Sequence, residues 1–268
     1  MFLGILQGLT EFLPVSSSGH LALAHRLVGT SGTIVFDVGV HVGTALAVAV
    51  VMRRELVSVI RGFVSAPFRK DGSARLGILL IVTTIPAAVA GYVFHDLVEQ
   101  AFDSVALVGL GLLVTGLLLF AVERPGPGGA RRGSVGVTQM RLWDALVIGI
   151  AQAFAILPGI SRSGATICAG LATGLKREFA ASYSFLASLP VILGAGVLEA
   201  TSVDWSGMGG QVLPLAFGMA SSFVSGVVAM TFLLSLVRRR RLSGFAYYVW
   251  AVGLAALAWG SRGLWPLG

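Results

Sequence analysis

The sequence predicts an all-α integral membrane protein, an inverted-topology repeat of six transmembrane helices plus two re-entrant helical hairpins. Three observations carry this expectation. First, 56% of the 268 residues are hydrophobic and only 12% are charged, where a soluble domain carries roughly 25% charged residues. Second, several apolar runs reach the roughly 20 residues that a helix needs to cross a bilayer core, and short polar connections join them. Third, two further apolar runs, 1–28 and 142–175, are each broken near the middle. A closed β-barrel would need segments of about ten residues alternating apolar and polar. These runs are continuous, so one helical membrane domain, 1–268, is expected.

The first broken run, 1–28, is interrupted by Leu13-Pro14-Val15-Ser16-Ser17-Ser18-Gly19 and reads as two half-helices around a loop at membrane depth. It has no basic leading segment, and Glu11 and Pro14 interrupt its apolar stretch, so it does not read as a cleavable signal peptide. The chain starts close to this break, which leaves the first half-helix short. Spanning helices are expected at 34–52, 75–94 and 104–122. The second broken run, 142–175, is interrupted by Leu157-Pro158-Gly159-Ile160-Ser161-Arg162-Ser163-Gly164. Spanning helices at 180–200, 212–237 and 245–260 complete the chain. The broken runs match each other at an offset of 145 residues: Gly4, Ile5, Gln7, Ser16, Ser18, Gly19, Ala24 and Gly29 recur as Gly149, Ile150, Gln152, Ser161, Ser163, Gly164, Ala169 and Gly174. This divides the chain into a first repeat, 1–122, and a second, 142–268.

Charge placement sets the orientation. A formal net charge of +7 could suit a nucleic-acid partner, but sixteen of the nineteen Lys and Arg residues sit in four connections: Arg53 to Arg75, Arg124 to Arg141, Lys176 with Arg177, and Arg238 to Arg241. That is the positive-inside distribution, and no nucleic-acid partner is expected. With these connections cytoplasmic, Asp96, Glu99, Asp103 and Asp204 lie outside. The helix count allows this only if each broken run enters and leaves on one side, the first from outside and the second from inside. Each repeat then makes three crossings, and the odd number inverts one against the other. Paired broken segments in inverted halves point to a binding site near the bilayer midplane. Trp143, Trp205, Trp250, Trp259 and Trp265 suit the interfacial belt, Lys176, Arg177 and Arg238 to Arg241 suit anionic lipid, and the lone Cys168 reads as a small core residue.

An ionisable side chain at the bilayer centre costs at least roughly 2.5 to 3.5 kcal/mol, so Glu11 and Arg162 need a reason to be there. Gln7 lies one turn before Glu11 on the same helical face. One reading is a structural pair, Glu11 with Arg162, that locks the two hairpins together. The neighbouring residues favour another. Ser16, Ser17, Ser18, Gly19 and His20 surround the first break, and Ser161, Arg162, Ser163, Gly164 and Thr166 the second. Hydroxyls, backbone N–H groups and a half-helix N-terminus together make an anion cradle, and Arg162 adds a planar fork suited to phosphate oxygens. Helix capping would account for the serines alone, but not for the Glu, Arg and His beside them. Asp37 and His41, one turn apart on the next helix, are secondary candidates. His25 and His95 lie near helix ends, where interfacial or capping roles are expected.

The stretches Gln7-Gly8-Leu9-Thr10-Glu11-Phe12-Leu13-Pro14-Val15-Ser16-Ser17-Ser18-Gly19-His20 and Leu157-Pro158-Gly159-Ile160-Ser161-Arg162-Ser163-Gly164-Ala165-Thr166 closely resemble the two signature motifs of the undecaprenyl-diphosphate phosphatase family, also called UppP or BacA. The resemblance continues through Phe36-Asp37, Ile85-Pro86-Ala87, Phe94-His95-Asp96 and Ser184-Phe185-Leu186 to Pro190. The family's acidic motif is Glu or Gln, three residues, then Glu, which here is Gln7 and Glu11. The resemblance implies hydrolysis of undecaprenyl diphosphate to undecaprenyl phosphate and inorganic phosphate. That reaction recycles the lipid carrier of peptidoglycan synthesis and is associated with bacitracin resistance. It further implies a multi-pass protein of the bacterial cytoplasmic membrane whose site opens to the outer face, and a divalent cation, Mg²⁺ or Ca²⁺, held by Glu11. On this reading Ser16, Ser18, Ser161, Ser163, Gly164 and Thr166 bind phosphate with Arg162. Ser17 attacks, activated by His20 or Glu11, or else His20 attacks directly. The expected partners are undecaprenyl diphosphate and membrane lipids, and a homodimer is compatible with the sequence. A transporter or flippase of an anionic lipid is the second expectation, because broken helices in inverted repeats are typical of transporters. A structural membrane protein without a substrate is the third.

Overall fold

The computed structural model describes residues 1–29, 34–65, 72–124, 133–202, 212–238 and 242–261. Among the described residues the chain forms twelve helices and no extended sheet. The two broken runs become helix pairs, α1 (Phe2–Phe12) with α2 (Ser17–Val28) and α8 (Leu142–Phe154) with α9 (Arg162–Ala172). All six runs expected to span are helical: α3 (Ile34–Val51), α5 (Gly72–Val93), α7 (Val105–Glu123), α10 (Arg177–Ser202), α11 (Val212–Arg238) and α12 (Ser243–Ser261). Of these, α5, α7, α10 and α11 are each long and apolar enough to cross a membrane, and α3 joined to α4 (Arg53–Ser65) makes a fifth candidate. The protein is a multi-pass, all-α membrane protein.

Two connections hold more structure than the sequence suggested. Residues after Arg53 read as a basic loop, but they form α4, bent 81° from α3. Its Arg54, Ser58 and Arg61 share one helical face and its apolar residues the other, the pattern of a helix lying in the membrane interface. The acidic connection likewise contains a short helix, α6 (His95–Phe102), where His95 contacts Asp96 and Glu99. Arg69, Lys70, Arg131, Arg132, Asp204, Trp205, Arg239 to Arg241 and Trp265 lie outside the described residues.

Each broken pair packs on a helix from the other part of the chain: α1 lies along α11, and α8 along α5. Lipid tails are as apolar as the helices, so helix association in a bilayer depends on close packing and hydrogen bonds. Small residues allow that approach. A Cβ at Gly8 would collide with the Ser222 carbonyl and the Ser225 hydroxyl, and a Cβ at Gly149 would fall 2.7 Å from the Thr83 carbonyl oxygen. Thr83 also donates to the Ala145 carbonyl at 3.0 Å, beside the internal Pro86 that interrupts the α5 hydrogen-bond ladder. The centre of the packing is α10, where Tyr183, Phe185, Leu186 and Ala187 are buried, with Phe185 edge-on to Phe12 of α1. Cys168 is buried, as expected.

The helices α7 and α12 run against each other, and the Trp250 indole donates to the Leu113 carbonyl at 3.1 Å. Trp250 is therefore a helix-to-helix contact, not the interfacial anchor that its residue type suggested. Its N–H points into the bundle, where an unpaired donor would be costly. Trp143, exposed at the start of α8, fits the interfacial expectation. At the other end of α7, Glu123 caps α12, accepting from the backbone N–H of Leu242 at 2.5 Å and of Ser243 at 3.1 Å.

Candidate active site

The site forms where the two breaks meet. Pro14 ends α1, because the residue before a proline is pushed out of the helical region, and Leu13 is accordingly extended at φ −65°, ψ 142°. Ser16 follows with φ 71°, in the left-handed region that non-glycine residues seldom occupy, and caps α2. In the second break, Gly159 turns at φ 85°, and a side chain there would collide with the Val108 carbonyl of α7. Thr115 of α7 fixes this turn from both sides: its hydroxyl donates to the Gly159 carbonyl at 3.0 Å and accepts from the Ser161 N–H at 2.9 Å.

The geometry at the two breaks repeats at the 145-residue offset. Ser16 and Ser161 each cap a half-helix, accepting from the N–H of Gly19 at 3.2 Å and of Gly164 at 3.1 Å. The hydroxyls of Ser16 and Ser18 lie 3.2 Å apart, as do those of Ser161 and Ser163. A glycine of positive φ follows each half-helix, Gly29 directly after α2 and Gly174 two residues after α9. The breaks also touch each other, since Ser163 donates to the Leu13 carbonyl at 3.1 Å.

Glu11 is the hub. Its Oε1 accepts from Nη2 of Arg162, closing an ion pair between the two breaks. Its Oε2 accepts from the Ser17 hydroxyl at 2.5 Å and from Nε2 of Gln7 at 2.9 Å. Removing one partner of such a buried pair typically costs about 3 to 5 kcal/mol, because the other charge is left uncompensated. Arg162 Nη1 and Gln7 Oε1 are buried and have no hydrogen-bond partner among the described residues. A buried donor without a partner is costly, and a phosphate oxygen would satisfy the Arg162 nitrogen.

His20 is buried beside this hub. Its Nδ1 lies 2.8 Å from the Ser16 carbonyl, which can only accept, so that nitrogen carries the proton. In the neutral ring Nε2 then accepts from the Tyr248 hydroxyl of α12, also at 2.8 Å, and the rings lie nearly parallel. Tyr248 is the site residue that the sequence reading missed. The available signal was a tyrosine hydroxyl within the second turn of an apolar helix, where a polar tip on an apolar body seeks a hydrogen-bond partner.

The remaining candidates are spread further. The Thr166 hydroxyl donates to the Arg162 carbonyl at 2.7 Å and meets Ser184 of α10 at 2.6 Å, so it faces α10. Asp37 meets Nε2 of His25 at 3.2 Å, tying α2 to α3, and His41 lies within electrostatic reach of Glu11. Among the described residues no three His, Cys, Asp or Glu side chains stand together as a metal site. The donor set still fits a hard divalent cation. Glu11 and the partnerless Oε1 of Gln7 offer oxygen donors, and Mg²⁺ commonly takes one or two carboxylates, with substrate phosphates and water as the rest.

The chain is similar to known proteins over most of its length. Residues 1–255 match the family model described as bacitracin resistance protein BacA. The chain is 44% identical over 260 residues to the undecaprenyl-diphosphatase of Syntrophotalea carbinolica, covering 94% of this chain and 95% of that one. It is 44% identical over 265 residues to that of Rubrobacter xylanophilus, covering 96% and 95%. With the undecaprenyl-diphosphatase of Desulforapulum autotrophicum it shares 41% identity over 269 residues, covering 95% of each chain.

Proposed function

The chain belongs to the bacitracin resistance protein BacA family, and from that premise we propose that it hydrolyses undecaprenyl diphosphate to undecaprenyl phosphate and inorganic phosphate, recycling a lipid carrier of cell-wall synthesis. The observation that carries this reading is the convergence on Glu11 of Ser17 from one break and Arg162 from the other. A carrier of anions needs donors, but it has no use for a serine hydroxyl held against a carboxylate.

In the proposed mechanism Arg162 and the capped half-helix N-termini at Ser16–Ser18 and Ser161–Gly164 hold the diphosphate and stabilise charge in the transition state, the dominant contribution in phosphoryl transfer. The Ser17 oxygen attacks the terminal phosphorus in line with the bridging oxygen. Its proton passes to Oε2 of Glu11 as the P–O bond to undecaprenyl phosphate breaks. Water then attacks the Ser17 phosphate ester, releasing inorganic phosphate, and Glu11 returns the proton to Ser17. His20, with Nε2 engaged by Tyr248, orients the first break, and Thr166 supports the Arg162 carbonyl. Asp37 steadies α2 through His25. Glu11 and Gln7 would hold Mg²⁺ or Ca²⁺. When bound, that cation supplies positive charge against the phosphate oxygens.

The proposed architecture is two inverted repeats, 1–122 and 142–268, with six crossings and two re-entrant pairs, the site opening to the outer face. The exchanged packing of α1 on α11 and α8 on α5, together with the matched geometry of the breaks, supports it. A homodimer is part of this proposal, to be read from the mass of the purified protein. Phosphate release from undecaprenyl diphosphate by purified protein in detergent tests the function, since neither a flippase nor a scaffold breaks a P–O bond. Absence of release with Mg²⁺ or Ca²⁺ present would reject it.

A further inference from the structure

We propose that the cleft between α7, α8 and α9 seats the first isoprene units of the lipid substrate, an inference that rests on the phosphatase reading above. The cleft has a volume of about 520 Å³ and an almost entirely apolar lining, within the range of sites for small apolar ligands. Ala151 of α8 and Ala165, Cys168, Ala169 and Ala172 of α9 line it, and Ile160 lines it beside the second break.

Two observations connect this cleft to the site. Arg162 is three residues before Ala165 and seven before Ala169, so the guanidinium and the alanines share one face of α9. At the 145-residue offset Ala165 stands where His20 stands in the first break, so its position borders the reacting centre in that half of the molecule. At most of the counterpart positions the first pair carries larger side chains. There Leu6, His20, Leu23 and Leu27 occupy the positions of Ala151, Ala165, Cys168 and Ala172. At four of these five lining positions the small side chain belongs to the second pair alone, while Ala24 is the counterpart of Ala169.

The direction fits the ligand. A diphosphate held at the breaks after entering from the outer face must send its chain deeper into the bilayer. The cleft runs that way, from Ile160 toward Ala121, Val122 and Ala172 near the end of α7. Val114, Leu118 and Phe154 stand exposed at its rim, leaving it open sideways so that a longer chain can pass out among the lipids.

The test uses Ala169→Phe and Ala172→Trp, which fill the cleft from its half-buried and exposed edges, with undecaprenyl diphosphate and five-carbon isopentenyl diphosphate as substrates. The expected result is a rise of about tenfold in KM for the long substrate and unchanged kcat/KM for the short one. Equal loss on both substrates, or no change on either, would overturn the proposal. A C55 diphosphate carrying a photoreactive group in its second isoprene unit gives a readout independent of turnover. In wild type and in Ser17→Ala it should label peptides containing residues 165–172, and Ala169→Phe should abolish that label. Label at 165–172 without phosphate release would reject the phosphatase reading and keep the chain seat. Phosphate release with label elsewhere would do the reverse. If Ala169→Phe instead changes the mass of the protein in detergent at constant KM, the cleft is an interface between two copies and the proposal is wrong.

Discussion

The Ser17 hydroxyl donates to Glu11 across the first break, 2.5 Å from Oε2, while its neighbour His20 is turned away toward Tyr248. In the proposed mechanism Glu11 is therefore the base and Ser17 the attacking group. Ser17→Ala and Glu11→Gln should each lower kcat by about 10²- to 10⁴-fold, and His20→Ala by clearly less. Rapid quench with phosphorus-labelled lipid diphosphate should trap an acid-stable label that is missing in Ser17→Ala. An acid-labile label that persists in Ser17→Ala would transfer the role to His20.

Arg162→Lys should act as a severe substitution although it keeps the charge. Lys cannot pair with Glu11 and present a second, rigidly placed donor at the same time. A charge-assisted hydrogen bond contributes about 1.5 to 3 kcal/mol, so kcat/KM should fall roughly 10- to 100-fold. Near-normal kinetics would mean that a point charge is enough.

Tyr248→Phe removes one hydroxyl and keeps the ring against His20. The expected loss is about tenfold or less in kcat/KM, the usual worth of one neutral hydrogen bond at about 0.5 to 1.5 kcal/mol. If Tyr248 acts by positioning His20, the loss should vanish in a His20→Ala background, which a double-mutant cycle measures. Additive losses would show that the two residues work separately.

Gln7→Glu adds a second carboxylate beside Glu11, one turn away on α1. Hard cations bind more tightly as ligand charge increases. The Mg²⁺ or Ca²⁺ concentration for half-maximal activity should therefore fall in Gln7→Glu. An unchanged requirement would separate the cation from this pair of residues.

The orientation can be read by labelling intact cells. In a Cys168→Ala background, Ser58→Cys on the polar face of α4 should be protected from an impermeant maleimide, and Gln100→Cys on α6 should react. The opposite pattern would invert the topology.

Much of this structure was legible in the chain because Pro14 and Pro158-Gly159 interrupt apolar runs, and an interruption at membrane depth shows in the sequence whatever surrounds it. Glu11, Ser17, Arg162 and the capping serines stood out for the same reason, as polar groups in apolar segments. Less was legible where the answer depends on which side a residue faces. Tyr248 meets His20 across 228 positions of sequence, and Thr166 turns to Ser184 on α10. Neither contact leaves a local pattern. The helix α4 was hidden because its arginines suggested a loop, although its periodicity is amphipathic.

The exchange of packing partners also sets an order of assembly. Arg162 is made 151 residues after Glu11, and α11, on which α1 rests, ends only at Arg238. At about 5 to 20 residues per second of synthesis, the first hairpin waits roughly 10 to 45 s for its permanent neighbour, holding a carboxylate with no guanidinium to meet it. During that interval the nascent chain needs a temporary host for this segment, such as water, lipid headgroups or the insertion machinery. Ribosomes that stall before residue 162 would leave a product with an incomplete centre and an unpaired acid in the bilayer, which makes it a ready target for membrane quality control.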